Sequence, residues 1–478
     1  MDHLLPRSTP ESQGIQSEAI HRFVQKLDTV PQLHSMMLVR HGSVVAETWW
    51  SPYRSDVPHM LYSLSKSFTS TAVGLAIDDG LLSLDDPLIG FFPDNAPSPA
   101  GDLWAKVTIR DLLTMSSGQS RDTIDVVLGG TSDPYDGFFS VPVEHEPGSH
   151  FVYNTGATFM LAAIVHRLTG TTLVDYLKPR LFDPLGMRDV VWDSHENGVN
   201  LGGIGLYLRT EEIAAFGQLL LQRGEWNGER VVPADWIAEA TRKQVESSGD
   251  GGPDWNQGYG YQFWRGRHNS FRGDGAWGQV CLVMPDQDAV VAMTSGVEEM
   301  GKPVEAVWDI LLPAMGPEPL PEDPAARAAL ADLLGSTKVI PPSGTARSPV
   351  EGDYSGLEYE FEENGEGLQT ASVDFAQDVL TVTLTGDAGR AGRQTLRFGR
   401  EAWIEDTAAL GAPRTTLICS SGTWVSEDTF QLTMCHTETP HVLTFCFRFG
   451  KDRVFVDASV NVSFGPTKLP RLIGMLKS

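Results

Sequence analysis

Near Pro341 the hydrophobic period of the chain changes, and this constrains the fold more than any other feature. Beyond it, VLTVTLTG, FQLTMC and HVLTFCFRFGKDRVFVDASVNV alternate apolar with polar residues, and Gly450-Lys451-Asp452 stands where the last run must turn. Period-2 runs at short spacing describe strands with one buried face, and a series of them makes a barrel or a sandwich. Upstream, both periods occur. SMMLVRHGSVVAETWW reads as a hairpin about His41-Gly42, and GQVCLVMPDQDAVVAMTSG as a second hairpin turning at Pro285–Asp288. YGYQFWR adds a further strand. Between the hairpins, VTIRDLLTM, ATFMLAAIVHRLTG and TEEIAAFGQLLLQRG carry 3.6-residue stripes. Ser17 is expected to cap a first helix with Ile20, Phe23, Val24 and Leu27 on one face, and Pro303 to open a late one.

That order fits an α+β domain, an antiparallel sheet flanked by helices with an all-helical subdomain inserted over about residues 85–225. The expected division is 1–316 for this domain, 317–345 for a Pro-rich linker with a short helix, and 346–478 for the all-β barrel or sandwich. At 478 residues the chain has ample length for both cores.

A formal net charge of −26 argues against nucleic acid and membrane surfaces as partners, and the acidic residues are scattered as on a solvated surface. MDHLLPRSTPESQGI lacks an apolar run of signal-peptide length, and Phe159–Val165 is too short to span a bilayer. Cys281, Cys419, Cys435 and Cys446 form no CxxC pair, so zinc and redox motifs are absent and a cytoplasmic location is expected.

The chemistry concentrates in LYSLSKSFTSTAVGLAIDDG, closed by Gly80 as a C-cap. Ser63 and Lys66 are three apart, which on a helix makes them neighbours on one face. Lys66 stands among small apolar residues, where burial lowers an amine's pKa toward neutrality. A hydroxyl beside such an amine is an activated nucleophile. Two fixed residues recur by chance about once in a few hundred positions, and a capping serine with a snorkelling lysine has the same spelling.

Further segments decide between these. GSHFVYNTGATFMLAAIVHRLTG sets Tyr153 before a helix, and GDGAWGQVCLVMPDQDAVVAMTSG sets a Gly-rich turn at a hairpin head. With YSLSKSFTSTAVGLAIDDGLLSLDDPL, VTIRDLLTMSSG and YGYQFW, they resemble the serine β-lactamase and penicillin-binding-protein-like superfamily, over roughly Pro10 to Met315. More narrowly they look like its class C-like esterase, amidase and D-peptidase branch, and the YNTG spelling is similar to that of 6-aminohexanoate-dimer hydrolase and family VIII carboxylesterases.

The resemblance implies a β-lactamase/transpeptidase-like fold, with Ser63 as acylated nucleophile and Lys66 and Tyr153 as its acid–base pair. It aligns Ala276-Trp277-Gly278 with the third motif, so that the backbone N–H groups of Ser63 and Gln279 would form the oxyanion hole. Thr155 replaces the Asn of Tyr-x-Asn, and Ala276 replaces the cation that holds a substrate carboxylate. Thr155, Ala276, Trp277 and Gly278 would then contact a small neutral ester or amide, with Trp255, Tyr259, Tyr261, Trp264 and Phe271 as further candidates for the pocket or, for most of them, ordinary core aromatics.

The function expected is ester or small-amide hydrolysis through an acyl-enzyme, with no cofactor and no metal. An amidase or D-aminopeptidase-type peptidase with at most weak β-lactamase activity is the alternative among enzymes. A non-catalytic penicillin-binding-like sensor or binding module is the alternative outside them. No G-x-S-x-G or H-E-x-x-H occurs, and Glu144-His145-Glu146 and His436…His441 are read as surface residues. The β-rich tail, lipocalin-like by analogy, either caps the cleft or serves stability or a homodimer.

Overall fold

A computed structural model describes residues 3–97, 103–129, 133–247, 252–385, 391–412 and 414–477. Two sheets organise the chain. The first has six strands: β1 (Leu33–Arg40), β2 (Ser43–Trp49), β3 (Trp264–Arg265), β4 (Phe271–Gly275), β5 (Gln279–Met284) and β6 (Ala289–Ser295). They lie antiparallel in the order β2-β1-β6-β5-β4-β3. Both faces of this sheet are covered, which is why β1 and β6 read as continuous apolar runs rather than alternating ones. Met36, Leu38, Val291 and Met293 pack on one face, against α1 (Ser17–Asp28) and the helical segment Gly301–Leu311. Met37, Val39, Val290 and Ala292 pack on the other, in the core that holds α2 (Ser65–Asp78), α3 (Thr155–Thr169) and α4 (Thr210–Leu221).

Local chemistry sets the boundaries. The first turn is the expected one, with His41 at φ 47° and Gly42 at φ 74°. Ser17 does not cap α1: Gln16 holds the cap position, and the buried Glu11 carboxylate accepts the Ser17 N–H at 2.7 Å. The carboxylate satisfies one of the free first-turn N–H donors from outside the helix. The late helix starts at Gly301 rather than Pro303, and of YGYQFWR only Trp264–Arg265 joins the sheet. α2 and α3 are buried nearly all round, so neither shows a clean amphipathic stripe.

After the helix α5 (Pro324–Leu334), the chain enters a separate β-rich unit. Its strands are β7 (Glu358–Phe361), β8 (Leu368–Asp374), β9 (Val379–Leu384), β10 (Gly392–Arg397), β11 (Gly399–Arg400), β12 (Ile404–Ala408), β13 (Thr416–Trp424), β14 (Thr429–His436), β15 (Val442–Phe449), β16 (Arg453–Val460) and β17 (Leu472–Leu476). The order is β10-β9-β8-β7-β17-β16-β15-β14-β13-β11, and β12 also pairs with β13, so the sheet curls into a near-barrel. The alternation read from the sequence points Leu443, Phe445, Phe447 and Phe449 inward, while Arg448 is exposed.

The architecture is therefore the expected one, a β-lactamase/transpeptidase-like α+β unit followed by a near-barrel. No single helix among the described residues is long and apolar enough to cross a membrane.

Candidate active site

The site grows from the N-terminus of α2. Ser63 lies in the 3-10 turn Tyr62–Leu64 that leads into it, and Tyr62 adopts φ 47°. A bulky residue in the left-handed region stores strain, and here it presents the next hydroxyl. One turn on, Lys66 is 1% exposed. Its Nζ donates to Ser63 Oγ at 2.8 Å and to the Gly203 carbonyl at 3.0 Å. Burial pulls the amine from its ordinary 10.5 to about 7, against the opposing charges of Asp122 and Asp274.

Tyr153 precedes α3, and the nearby Ser63 side chain draws its phenol pKa down against the effect of burial. The Lys66 ammonium nitrogen lies 4.8 Å from the centre of its ring. Burial, and after it the Asp274 charge, raises the Tyr153 phenol well above 10. Trp264 stacks on Tyr153 at 5.4 Å, with Tyr259 and Trp255 in the same cluster. Tyr261 and Phe271 instead pack against Trp236 and Phe263 in the main core. Asn154 caps α3, accepting the Ala157 N–H, while the Thr155 N–H donates to Asp122 Oδ1 at 2.8 Å. Thr155 is buried, and its methyl lies where a side chain on Gly203 would go, 2.7 Å from an added Cβ.

Ala276, Trp277 and Gly278 form the turn between β4 and β5. The residue pressed against the nucleophile is Gly275: a Cβ there would lie 2.0 Å from Leu61 O and 3.1 Å from Ser63 N. Glycine is required by that approach. Gln279 lies beyond the turn, paired across the hairpin with Gly275 and fully buried. Its side-chain amide donates to Ala276 O and Ser295 O, bracing the turn from within. The hairpin end therefore stands against Tyr62–Leu64, with Gly275 in the tightest approach and Gln279, its partner across the hairpin, beside it. Gly278, at φ 90°, packs against Ser295 rather than toward Ser63.

Sequence reasoning did not single out several residues that meet here. Asp274 is buried on β4, bonded by Arg272 Nε at 2.8 Å, and burial raises its pKa against the pull of that guanidinium. A carboxylate between two glycines, in GDG, was the available signal. Asp122 carries no local signal; its carboxylate collects the N–H groups of Ile124 and Thr155. The β-rich unit supplies two more. His441 Nε2 and the Tyr62 hydroxyl are 2.9 Å apart, and the Trp277 ring lies 5.0 Å from His441. Phe464, 82% exposed, has its ring 4.5 Å from that of Trp277. His441 is therefore no surface residue. It is half-buried at this contact, whereas His436 is buried and held down to about 4 by that burial. Glu144 and Glu146 are exposed as expected. Among the described residues no group of three or more His, Cys, Asp or Glu side chains gathers as metal ligands do.

An antiparallel sheet clad in helices, with a serine, a buried lysine and a tyrosine meeting at a helix start, defines the class of β-lactamase-fold serine hydrolases. Residues 24–312, more than half of the chain, match the Beta-lactamase family model, and the chain belongs to that family. The 6-aminohexanoate-dimer hydrolase of Paenarthrobacter ureafaciens is 25% identical over 287 residues, 55% of this chain and 72% of that protein. The lovastatin esterase of Penicillium rubens is 31% identical over 161 residues, 29% of this chain and 40% of that protein, less than half of its length. A solved Bacillus anthracis protein, provisionally described as a 6-aminohexanoate-dimer hydrolase, shares the fold with a TM-score of 0.54 at 22% identity. It covers 66% of this chain and 89% of its own.

Proposed function

We propose that the chain hydrolyses neutral esters and small amides through an acyl-enzyme on Ser63. The observation that carries this reading is the 2.8 Å contact between Ser63 Oγ and an amine that burial holds at about 7. A neutral Lys66 takes the hydroxyl proton as Oγ attacks the carbonyl carbon. The Tyr153 phenol stays protonated, since its pKa is raised, and passes a proton to the leaving group as Lys66 returns the Ser63 proton to it. Water then attacks the acyl carbon, giving its proton back along the same pair, and the acid product leaves. The oxyanion takes the N–H of Ser63 and that of Gln279, whose cross-strand partner Gly275 makes the close approach to Ser63.

The substrate reading rests on what flanks Ser63. Position 276 is Ala, and Trp277, Tyr62 and Phe464 present aromatic surface. That wall suits an apolar, uncharged group and offers nothing to a carboxylate. Thr155 is a lining residue by position, with its methyl toward Gly203.

The test is turnover of p-nitrophenyl acetate and butyrate by wild type and Ser63→Ala, with intact mass read during the reaction. Loss of activity in the mutant and a transient acyl adduct on the wild type support the reading. Equal rates and no adduct put the binding-module alternative ahead. Matched anilides then separate amidase from esterase action.

A further inference from the structure

The β-rich unit encloses a cavity of about 590 Å³ that the chemistry at Ser63 does not use. One end of the barrel is plugged by Phe375, Trp424, Phe430 and Phe449, whose rings lie 4.8–5.9 Å apart in successive contacts. The other end is open. Leu384, Leu443, Phe445 and Leu472 are only partly buried although they point into the barrel, because the surface they expose is the cavity wall. Phe447 and Val456 form its floor. An interior this size normally fills with side chains; here the strands leave it vacant at one end only.

The lining fixes the class of occupant. Among the described residues that line the cavity, Glu366 alone is charged, and it sits at the rim in the turn between β7 and β8, with Glu362 and Glu363 in the same turn. The rim's other polar groups are already satisfied. The Asn364 amide donates to the carbonyls of Glu362 and Leu368, each at 2.8 Å, and the Thr385 hydroxyl donates to Gly367 O at 3.1 Å. A carboxylate head would meet acidic side chains, and a charged group deeper in would lose its hydration without a partner. The volume lies in the range of small-ligand sites. We propose that the barrel is a binding site, separate from Ser63, for an uncharged aliphatic alcohol or ester, its chain inside and its head at the rim.

The mouth stands on the side of the catalytic unit. The turn at 437–441 and the connection at 461–471 lie at this end, and they carry His441 and Phe464 to Tyr62 and Trp277. Leu443, two residues beyond that turn, and Leu469, within that connection, line the cavity.

The experiment is calorimetric titration of the full chain with 1-decanol and, separately, with decanoate. One molecule of decanol is expected per chain, with decanoate at least about tenfold weaker because of the acidic rim. Ala458→Phe and Leu384→Trp, which fill the cavity, are expected to weaken decanol about tenfold or more and to leave p-nitrophenyl acetate turnover unchanged. Ser63→Ala is expected to bind decanol as wild type does, so that failure of the catalytic reading leaves this one standing. Wild-type crystals soaked with 11-bromoundecanol give a readout that needs no variant: bromine inside the barrel supports the site. No saturable heat up to the solubility limit, bromine only elsewhere, or unchanged binding in both filled variants overturns it.

Discussion

Replacing Lys66 by Met isolates the cost of keeping an amine in the core. The folded protein holds that amine at about 7 against an ordinary 10.5. Between those values the unfolded chain binds more protons than the folded one, so stability rises with pH across the window and the cost is complete below about 7. Linkage over that shift gives a cost of about 4 kcal/mol at pH 7 and about 1 kcal/mol at pH 10. Against it stand the hydrogen bonds to Ser63 Oγ and Gly203 O, together worth about 2 kcal/mol. Lys66→Met should therefore be more stable than wild type by about 2 kcal/mol at pH 7 and less stable by about 1 kcal/mol at pH 10. Urea unfolding of both proteins at the two pH values measures this, because titrating groups that do not interact with Lys66 cancel in the difference. A Lys66→Met effect of the same sign and size at both pH values would refute the burial argument and, with it, the origin of the neutral base.

The same value sets the kinetics: kcat/KM for p-nitrophenyl butyrate should rise about tenfold from pH 6 to pH 8 and then level, whereas a limb still climbing at pH 9 would mean an unperturbed lysine. Tyr153→Phe should lower kcat by about 10²- to 10⁴-fold and leave the acid limb in place, since Lys66 rather than the phenol is the base; a shifted limb would reverse those roles. Phe464→Ala should raise KM for butyrate and longer acyl esters about threefold or more with acetate little affected, and uniform effects on both would remove Phe464 from the acyl wall. Burial holds His59 and His436 at about 4, so each should cost the fold about 2 kcal/mol as pH falls from 7 to 5, where the unfolded imidazoles charge and the folded ones do not. Urea midpoints of wild type, His59→Asn and His436→Asn at the two pH values read this directly.

Much of the fold was legible because periods are local. Both hairpins of the first sheet and the switch to period 2 follow from residues a few positions apart, and the strands of the near-barrel fall where alternation put them. The Ser63–Lys66 pair was legible for the same reason: two residues three apart on a helix are neighbours on one face. What failed was fine register. Ser17 looked like a cap, but the helix already includes it and Gln16 holds the cap position. Motif alignment put Gln279 beside the oxyanion but gave no hint of Gly275, whose close approach to Leu61 and Ser63 exists only in three dimensions. Asp122 and Asp274 belong to the site through distance alone, and distance across a fold has no spelling in the sequence.

The wall that the β-rich unit adds was beyond sequence reading for a geometric reason. His441 and Tyr62 are 379 residues apart along the chain, and no periodicity relates them. Yet barrel topology makes such contacts efficient. Successive turns of an up-and-down sheet alternate between its two ends, so one docking of the barrel delivers two turns to the catalytic unit together. One brings an imidazole to the strained tyrosine before the nucleophile, and the other brings an exposed phenylalanine to Trp277. Asn461 fastens the arrangement, donating to Gly296 O at 2.9 Å across the interface and to Pro440 O at 2.9 Å within the barrel. A substitution that loosens this anchor should move both turns at once. Asn461→Ala should therefore change KM for long acyl esters at least as much as Phe464→Ala does, although it touches no substrate, and unchanged KM would mean that each turn is held independently.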